Sequence, residues 1–333
     1  MPYVIGIDIG GTNLVVGAVA VDGSELRGLR SEPTRPREGP ERVLHRLAEL
    51  ARATIGELRS TVANREILGV GVGAPGPLDT REGVVFLTPN LGWVDLPLRQ
   101  TLANELRLPT SLDNDANCAV LGEWWRGAAR DAEHAIGLTI GTGIGGGIIV
   151  DRRLYHGASD CAGEFGHTTI DPEGRRCNCG NYGCLEAYAS GPAIALRTVE
   201  AIEAGAESTV VVRAGGDLRA LTAEHVFNAA NDGDELALEV VRATARYLGA
   251  GVANLINIFN PEVVVICGGV TQAGDRLFGP LRQEVARRAF KPAVAACRIV
   301  PGELTGTAGV YGAAAAFLQL SGDGHVSRPA QEA

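Results

Sequence analysis

The sequence predicts an α/β protein built as two related lobes, and three observations carry that expectation. Its 333 residues exceed the roughly 250 at which a single core stops growing, so two cores are expected. Short β-branched runs and stretches of helical periodicity are mixed along the chain. Two similar strand, glycine turn, strand units occur well apart in the chain, within residues 3–21 and 135–150.

Taken in order, residues 3–8 and 14–21 are β-branched runs joined by Ile9-Gly10-Gly11-Thr12-Asn13, which reads as a hairpin with a tight, exposed glycine turn. Val43, Leu44, Leu47, Leu50, Ala51, Ile55 and Leu58 recur at helical spacing through 41–59, and a strand follows at 67–72. A buried strand at 110–112 feeds a helix capped by Asp113 or Asn114 that runs toward Ala129. The second hairpin, 135–140 and 144–150, turns at Gly141-Thr142-Gly143, and turn residues then dominate 157–191, read as an irregular insertion. Helices are expected at 221–231, 234–259 and 274–289, strands at 263–267 and 298–300, and a closing helix at 307–320. The polar residues 321–333 are expected to fray.

Composition narrows the function classes. A formal charge of -9 without any basic run argues against a nucleic-acid partner, which clustered Lys and Arg would serve. The first basic residue is Arg27, so the charged flank of a signal peptide is missing, and the uncharged, glycine-rich run 135–150 is shorter than the about 20 apolar residues that span a bilayer. No membrane partner and a cytoplasmic location are expected. Lys291 is the one lysine in the chain and follows Phe290, which excludes a Walker-type loop with its Gly-Lys-Ser/Thr. The 45 glycines are about twice the usual share of roughly 7% and, being clustered, are read as shaping loops. Seven cysteines, three of them close together, favour metal ligation over a disulfide framework.

Two literal G-x-G-x-x-G matches, Gly71/Gly73/Gly76 and Gly141/Gly143/Gly146, are rejected as dinucleotide sites. Pro77 follows the first and a strand follows the second, whereas the fingerprint must open a helix. The loops Asp8-Ile9-Gly10-Gly11-Thr12 and Gly141-Thr142-Gly143 suit polyanions instead, because glycine backbones aim N–H groups at phosphate oxygens at close range. Either loop alone is equally well read as an ordinary hairpin turn. As a pair, with Gly268-Gly269 after a third buried strand, they point to a nucleotide, with Asp8 placed to hold Mg²⁺ through water.

His167, Cys177, Cys179 and Cys184 have the spacing H-x9-C-x-C-x4-C. Four such donors describe a closed, structural Zn²⁺ site, and three thiols in one turn-rich segment argue against the alternative of buried core residues. Cys118, Cys161, Cys267 and Cys297 are scattered and read as core. Asn114-Asp115 taken alone is a helix cap; beside two phosphate loops it is also a carboxylate fixed at a strand end, as phosphoryl transfer to an alcohol requires of its base. Asn114, Glu164 and Glu186 then suit sugar hydroxyls.

The segment from Glu164-Phe165-Gly166-His167 through Cys177 to Cys184-Leu185-Glu186 closely resembles the signature of the ROK family (repressors, open reading frames and sugar kinases), its bacterial glucokinases in particular. The resemblance runs on through DIGGTN, GVGAPGPLD, TPNLGW, DNDANCA, GTGIGGG and the final GGV. It implies a two-lobed actin-like ATPase (sugar kinase) fold with a zinc-binding insertion, and ATP and Mg²⁺ between lobes that close over the sugar and expel water. The implied lobes are 1–113, with a closing helix 305–320 packed on them, and 114–304, which includes the zinc segment 164–186. Carried onto matching positions, Asp115 is the catalytic base, and Asn114, Glu164, His167 and Glu186 contact the sugar, with Asn90 a further contact. Asp8, Gly10, Gly11, Thr12, Thr142, Gly143, Gly268 and Gly269 hold the nucleotide, and His167 serves metal and sugar alike. The implied reaction is glucose to glucose 6-phosphate, in a homodimer or homotetramer. Fructose, mannose or an N-acetylhexosamine is the alternative acceptor, and polyphosphate the alternative donor, although polyphosphate enzymes lack the cysteine segment. The sugar-sensing repressor branch carries a helix-turn-helix domain, for which a first strand at about Tyr3 leaves no space.

Overall fold

The structure, a computed structural model, describes residues 1–61, 66–88 and 90–322. In chain order the strands are β1 (Tyr3–Ile9), β2 (Asn13–Ala20), β3 (Leu26–Pro33), β4 (Ile67–Ala74), β5 (Leu78–Asp79), β6 (Val84–Thr88), β7 (Trp93–Leu96), β8 (Thr110–Asn114), β9 (Ala135–Ile140), β10 (Ile144–Val150), β11 (Arg153–Leu154), β12 (Val263–Cys267) and β13 (Arg298–Pro301). The helices are α1 (Pro40–Thr61), α2 (Leu98–Leu106), α3 (Asp115–Arg126), α4 (Glu186–Ala189), α5 (Gly191–Glu203), α6 (Val210–Arg213), α7 (Ala223–Asn231), α8 (Glu235–Phe259), α9 (Asp275–Arg288), α10 (Lys291–Ala296) and α11 (Ala308–Gly322).

Two five-stranded sheets share one topology, β3-β2-β1-β4-β8 and β11-β10-β9-β12-β13. Each opens with an antiparallel meander of three strands, to which two strands add in parallel beside the first. The two similar hairpins of the sequence are thus the first hairpins of two equivalent sheets. Along β1 the side chains alternate between faces, as the strand period of two dictates. Tyr3, Ile5, Ile7 and Ile9 pack with Val43, Leu47 and Ala51 of α1, while Val4 packs with Val310, Ala314 and Phe317 of α11. In the second sheet Ile136, Leu138 and Ile140 join the core built with α8 and α9, while Ala135, Val263 and Val265 meet α3 and α11. The pair α3 and α11 therefore forms a layer that touches both sheets.

That layer explains glycines that lie inside strands and not in loops. Gly69, Gly71 and Gly73 lie inside β4, and Gly145, Gly146 and Gly147 inside β10. A Cβ on Gly71 would stand 1.8 Å from the carbonyl oxygen of Ala313, and one on Gly312 would stand 1.5 Å from that of Cys118. The backbone of α11 therefore runs directly on β4 and on α3.

Other departures from expectation have local causes. The helix after β8 stops at Arg126, short of Ala129. Within the segment read as irregular, α5 begins at Gly191: Ser190 caps it through the N–H of Ala193, and Pro192 in the first turn starts a helix there where it would break one further in. No residue of β3 is buried, and β5 to β7 form a separate small antiparallel sheet of short strands, so neither shows clean alternation. The closing helix continues through Ser321 to Gly322, and the rest of the expected frayed tail, 323–333, lies outside the described residues. Among the described residues no helix is long and apolar enough to cross a membrane.

Candidate active site

The parallel strands β1, β4 and β8 end along one edge, the edge at which α/β sheets take their ligands. Their register aligns Asp8 with Gly73 and Gly73 with Asp113, and Asp115 opens α3 just beyond. The cap of α3 is Asn114, whose Oδ1 accepts from the N–H groups of Ala116 at 2.9 Å and Asn117 at 3.2 Å. Its carbonyl is thereby committed to the helix, and its amide nitrogen is the group left for a ligand. One oxygen of Asp115 accepts from the N–H of Ala116 at 2.8 Å.

Burial dominates the electrostatics of this edge. It pushes the Asp115 carboxyl up to about 6, with the charge of Glu164 adding to the effect and the backbone N–H of Ala116 working against it. Burial likewise raises Asp8, to about 7, and the Asp115 charge adds to it. A half-buried carboxyl that titrates near 6 is ionised at neutral pH and still accepts a proton readily, which suits a general base.

The turns stand at equivalent ends of the two sheets. The N–H of Gly10 donates to the carbonyl of Asn13 at 2.9 Å and Thr34 Oγ1 donates to the carbonyl of Gly10 at 2.7 Å, leaving Gly11 and Thr12 exposed. In the second lobe the N–H of Gly141 donates to Gly143 O at 2.9 Å, and Gly141 and Thr142 are exposed. Gly268 ends the approach from β12, and Gly269 opens a 3-10 turn. Thr142 and Gly269 meet across a cleft of about 470 Å³ whose walls include Ile140, Ile194, Leu221, Phe227 and Val270. A largely apolar cleft with glycine turns at its mouth fits a planar base with phosphates at one end.

Glu186, at the start of α4, accepts from the N–H of Ile144 at 2.8 Å through Oε2. Its Oε1 lies 3.9 Å from Cys177 Sγ, so the side chain joins the Gly141–Gly143 turn to the cysteine cluster. The donor atoms of His167, Cys177, Cys179 and Cys184 all lie within 4.8 Å of one another. Cys179 and Cys184 Sγ are 3.7 Å apart, and Cys177 Sγ is 3.8 Å from His167 Nδ1. Donors about 2.3 Å from a tetrahedral ion stand about 3.8 Å apart, so the set fits Zn²⁺. Burial and the neighbouring thiols push Cys184 up to about 12, a crowding that a cation would reverse. Glu164 is exposed, close enough to Asp115 for its charge to register there. Asn90 is exposed in the turn between β6 and β7, with no hydrogen bond or ion pair to these groups among the described residues.

Two residues here do more than the sequence reading of Cys118 as core and of Asp113 as a possible cap implied. Cys118, fully buried, packs under the carboxylates, and its thiol is pushed well up by burial and by Asp113, Asp8 and Asp115, which leaves it inert. Asp113, 1% exposed, holds His156 with Oδ2 2.8 Å from Nε2. The acid itself stands in the quoted DNDANCA run, but nothing in the sequence joins it to His156.

A profile described as the ROK family matches residues 4–320. A glucokinase of Thermotoga maritima is 40% identical over 319 residues, covering 96% of this chain and 98% of that protein. A putative xylose repressor of a Caldicellulosiruptor species is 35% identical, covering 95% of this chain and 78% of that protein. Among solved structures, a ROK family glucokinase from Streptomyces griseus in complex with glucose and AMPPNP superposes with a TM-score of 0.81 at 32% identity, covering 95% of this chain and 99% of that one. The likeness establishes the actin-like sugar-kinase fold expected from the sequence.

Proposed function

The chain belongs to the ROK family, and from that premise we propose that it is an ATP-dependent hexose kinase that makes glucose 6-phosphate. The observation that carries this reading is the carboxyl of Asp115, set at the end of β8 beside Asp8 and titrating near 6. The glucose and AMPPNP held by the Streptomyces griseus relative support the choice of substrates.

In this reading the outermost hydroxyl of the sugar attacks the γ-phosphorus of ATP. Its proton passes to Asp115 as the new O–P bond forms and the bond to the β-phosphate oxygen breaks, releasing ADP. The Asn114 amide, Glu164, His167, Glu186 and Asn90 orient the sugar. The Gly10-Gly11-Thr12 and Thr142-Gly143 turns, with Gly268-Gly269, hold the phosphates through backbone N–H groups, and the apolar cleft receives the adenine. Asp8 is the group that would hold Mg²⁺ through water, which neutralises phosphate charge when bound. His167, Cys177, Cys179 and Cys184 would hold Zn²⁺ as a structural ion that fixes the sugar-binding segment. A homodimer or homotetramer is the expected assembly.

The similarity to xylose repressors favours a second reading, a sugar sensor without catalysis. A coupled assay with glucose, fructose, mannose and N-acetylhexosamines, each with ATP and with polyphosphate, separates the possibilities. Glucose with ATP is expected to give the highest kcat/KM. Tight sugar binding without phosphoryl transfer to any of them would establish the sensor instead.

A further inference from the structure

The segment that follows β11 leaves the second sheet and is pinned twice to the first lobe. His156 meets Asp113 of β8, and Asp160 Oδ2 accepts from the N–H and Oγ1 of Thr80, beside β5, at 2.8 and 3.1 Å. A little further on, the same segment delivers Glu164 close to Asp115. The Asp113 carboxylate is engaged on both sides. Oδ2 takes His156, while Oδ1 accepts from the N–H of Asn114 at 2.7 Å and from Asn117 Nδ2 at 3.3 Å. Asn114 and Asn117 flank Asp115 in the first turn of α3.

We propose that His156 is a positioning residue for phosphoryl transfer: by holding the buried Asp113 carboxylate it fixes the Asn114–Asp115 turn, and so sets where the base meets the sugar hydroxyl. The inference rests on the reading of Asp115 as that base. Asp113 is 1% exposed, and a buried carboxylate oxygen left without a partner is costly. Without the imidazole Oδ2 would be stranded and the side chain would turn to find another partner, which loosens its grip on the Asn114 N–H. Burial alone would depress the imidazole, but the hydrogen bond and charge of Asp113, with Asp160 behind them, more than offset it and leave His156 raised. The positive form, which donates to Asp113, is thereby favoured.

Steady-state kinetics on the full chain test this, with Asp115→Ala run in parallel. His156→Ala is expected to lower kcat by about tenfold to a hundredfold, the cost of a base displaced by about an ångström, while KM for glucose changes little. His156→Gln, which keeps an N–H directed at Asp113, should restore most of that turnover. The His156→Ala, Asp113→Asn double variant should be no slower than its slower single, because both changes break one unit. An inactive Asp115→Ala beside a His156→Ala with turnover within about twofold of the parent overturns the proposal and leaves the base assignment standing. Parent-like turnover in Asp115→Ala overturns the base assignment by itself. If His156→Ala does not fold, His156→Gln and Asp113→Asn decide: parent-like turnover in Asp113→Asn, or a loss in His156→Gln matched by its loss of melting temperature, contradicts a positioning role.

Discussion

The β1–β2 and β9–β10 turns occupy equivalent places in two sheets of one strand order, yet different things stand behind them. The first closes on itself and on Thr34, with open space around Gly11, and brings Asp8 to within electrostatic reach of Asp115. The second is backed by the Glu186 carboxylate, which reaches it from the cysteine cluster, and borders the apolar cleft. One scaffold, used twice, thus supplies titrating carboxyls beside one sheet end and a shaped, anchored cradle beside the other. The difference comes from what packs behind each turn, since the turns alone are alike in sequence.

The sharpest break in that comparison should come from the carboxyls at the end of the first sheet. Asp115→Ala is expected to lower turnover by on the order of a thousandfold or more while leaving glucose affinity, read by titration calorimetry, nearly unchanged. On the second lobe, Cys179→Ser or chelation should weaken glucose binding by about tenfold to a hundredfold and lower the melting temperature, because the 174–186 segment loses its clamp. Metal analysis of the purified protein should find zinc, and its absence would refute this expectation.

Smaller effects separate the turns themselves. A Cβ on Gly143 would stand 2.6 Å from Glu186 Oε2, so Gly143→Ala should push Glu186 off the Ile144 N–H and raise KM for ATP by about tenfold, the worth of one hydrogen bond to a charged group. Gly11→Ala meets nothing within 4 Å and should change KM far less. Equal effects at the two positions would erase the distinction drawn between the lobes.

The smallest expected effect is in pH. Asp115 must be ionised to accept a proton, so kcat/KM should fall on the acid side with an apparent pKa near 6. Glu164→Gln removes a neighbouring charge and should move that limb downward. Stability carries the opposite sign. Both carboxyls titrate higher in the fold than their ordinary 3.8, so the fold binds more protons than the unfolded chain in between. Their contribution is fully present below 3.8 and is lost as pH rises through about 6 and 7. Asp115→Asn should flatten that decline in a thermal melt.

What the sequence made legible follows the range of the forces involved. The two hairpins could be read because β-branched runs and glycine turns are local signals, and the cysteine cluster because its donors lie within a short span. Gly69 and Gly71 fall in a strand expected from the sequence, but the reason for glycine there could not be read, because it is the approach of α11, far away in sequence. The Asp113–His156 pair joins residues 43 apart and the two lobes, and no local pattern marks it. The raised carboxyls are likewise products of burial, which exists only once the sheet edge and α3 come together. Asn114 is the instructive middle case: the cap and the candidate ligand were both readable, and the structure assigns its carbonyl to the cap.

The central claim is that Asp115 receives the proton of the sugar hydroxyl, and a crystal structure with glucose and a non-hydrolysable ATP analogue tests it most directly. The account predicts a carboxylate oxygen of Asp115 within about 2.6 to 3.2 Å of the outermost hydroxyl, with that hydroxyl facing the γ-phosphorus. A sugar seated with this hydroxyl against some other acceptor, and Asp115 turned away from it, would contradict the account.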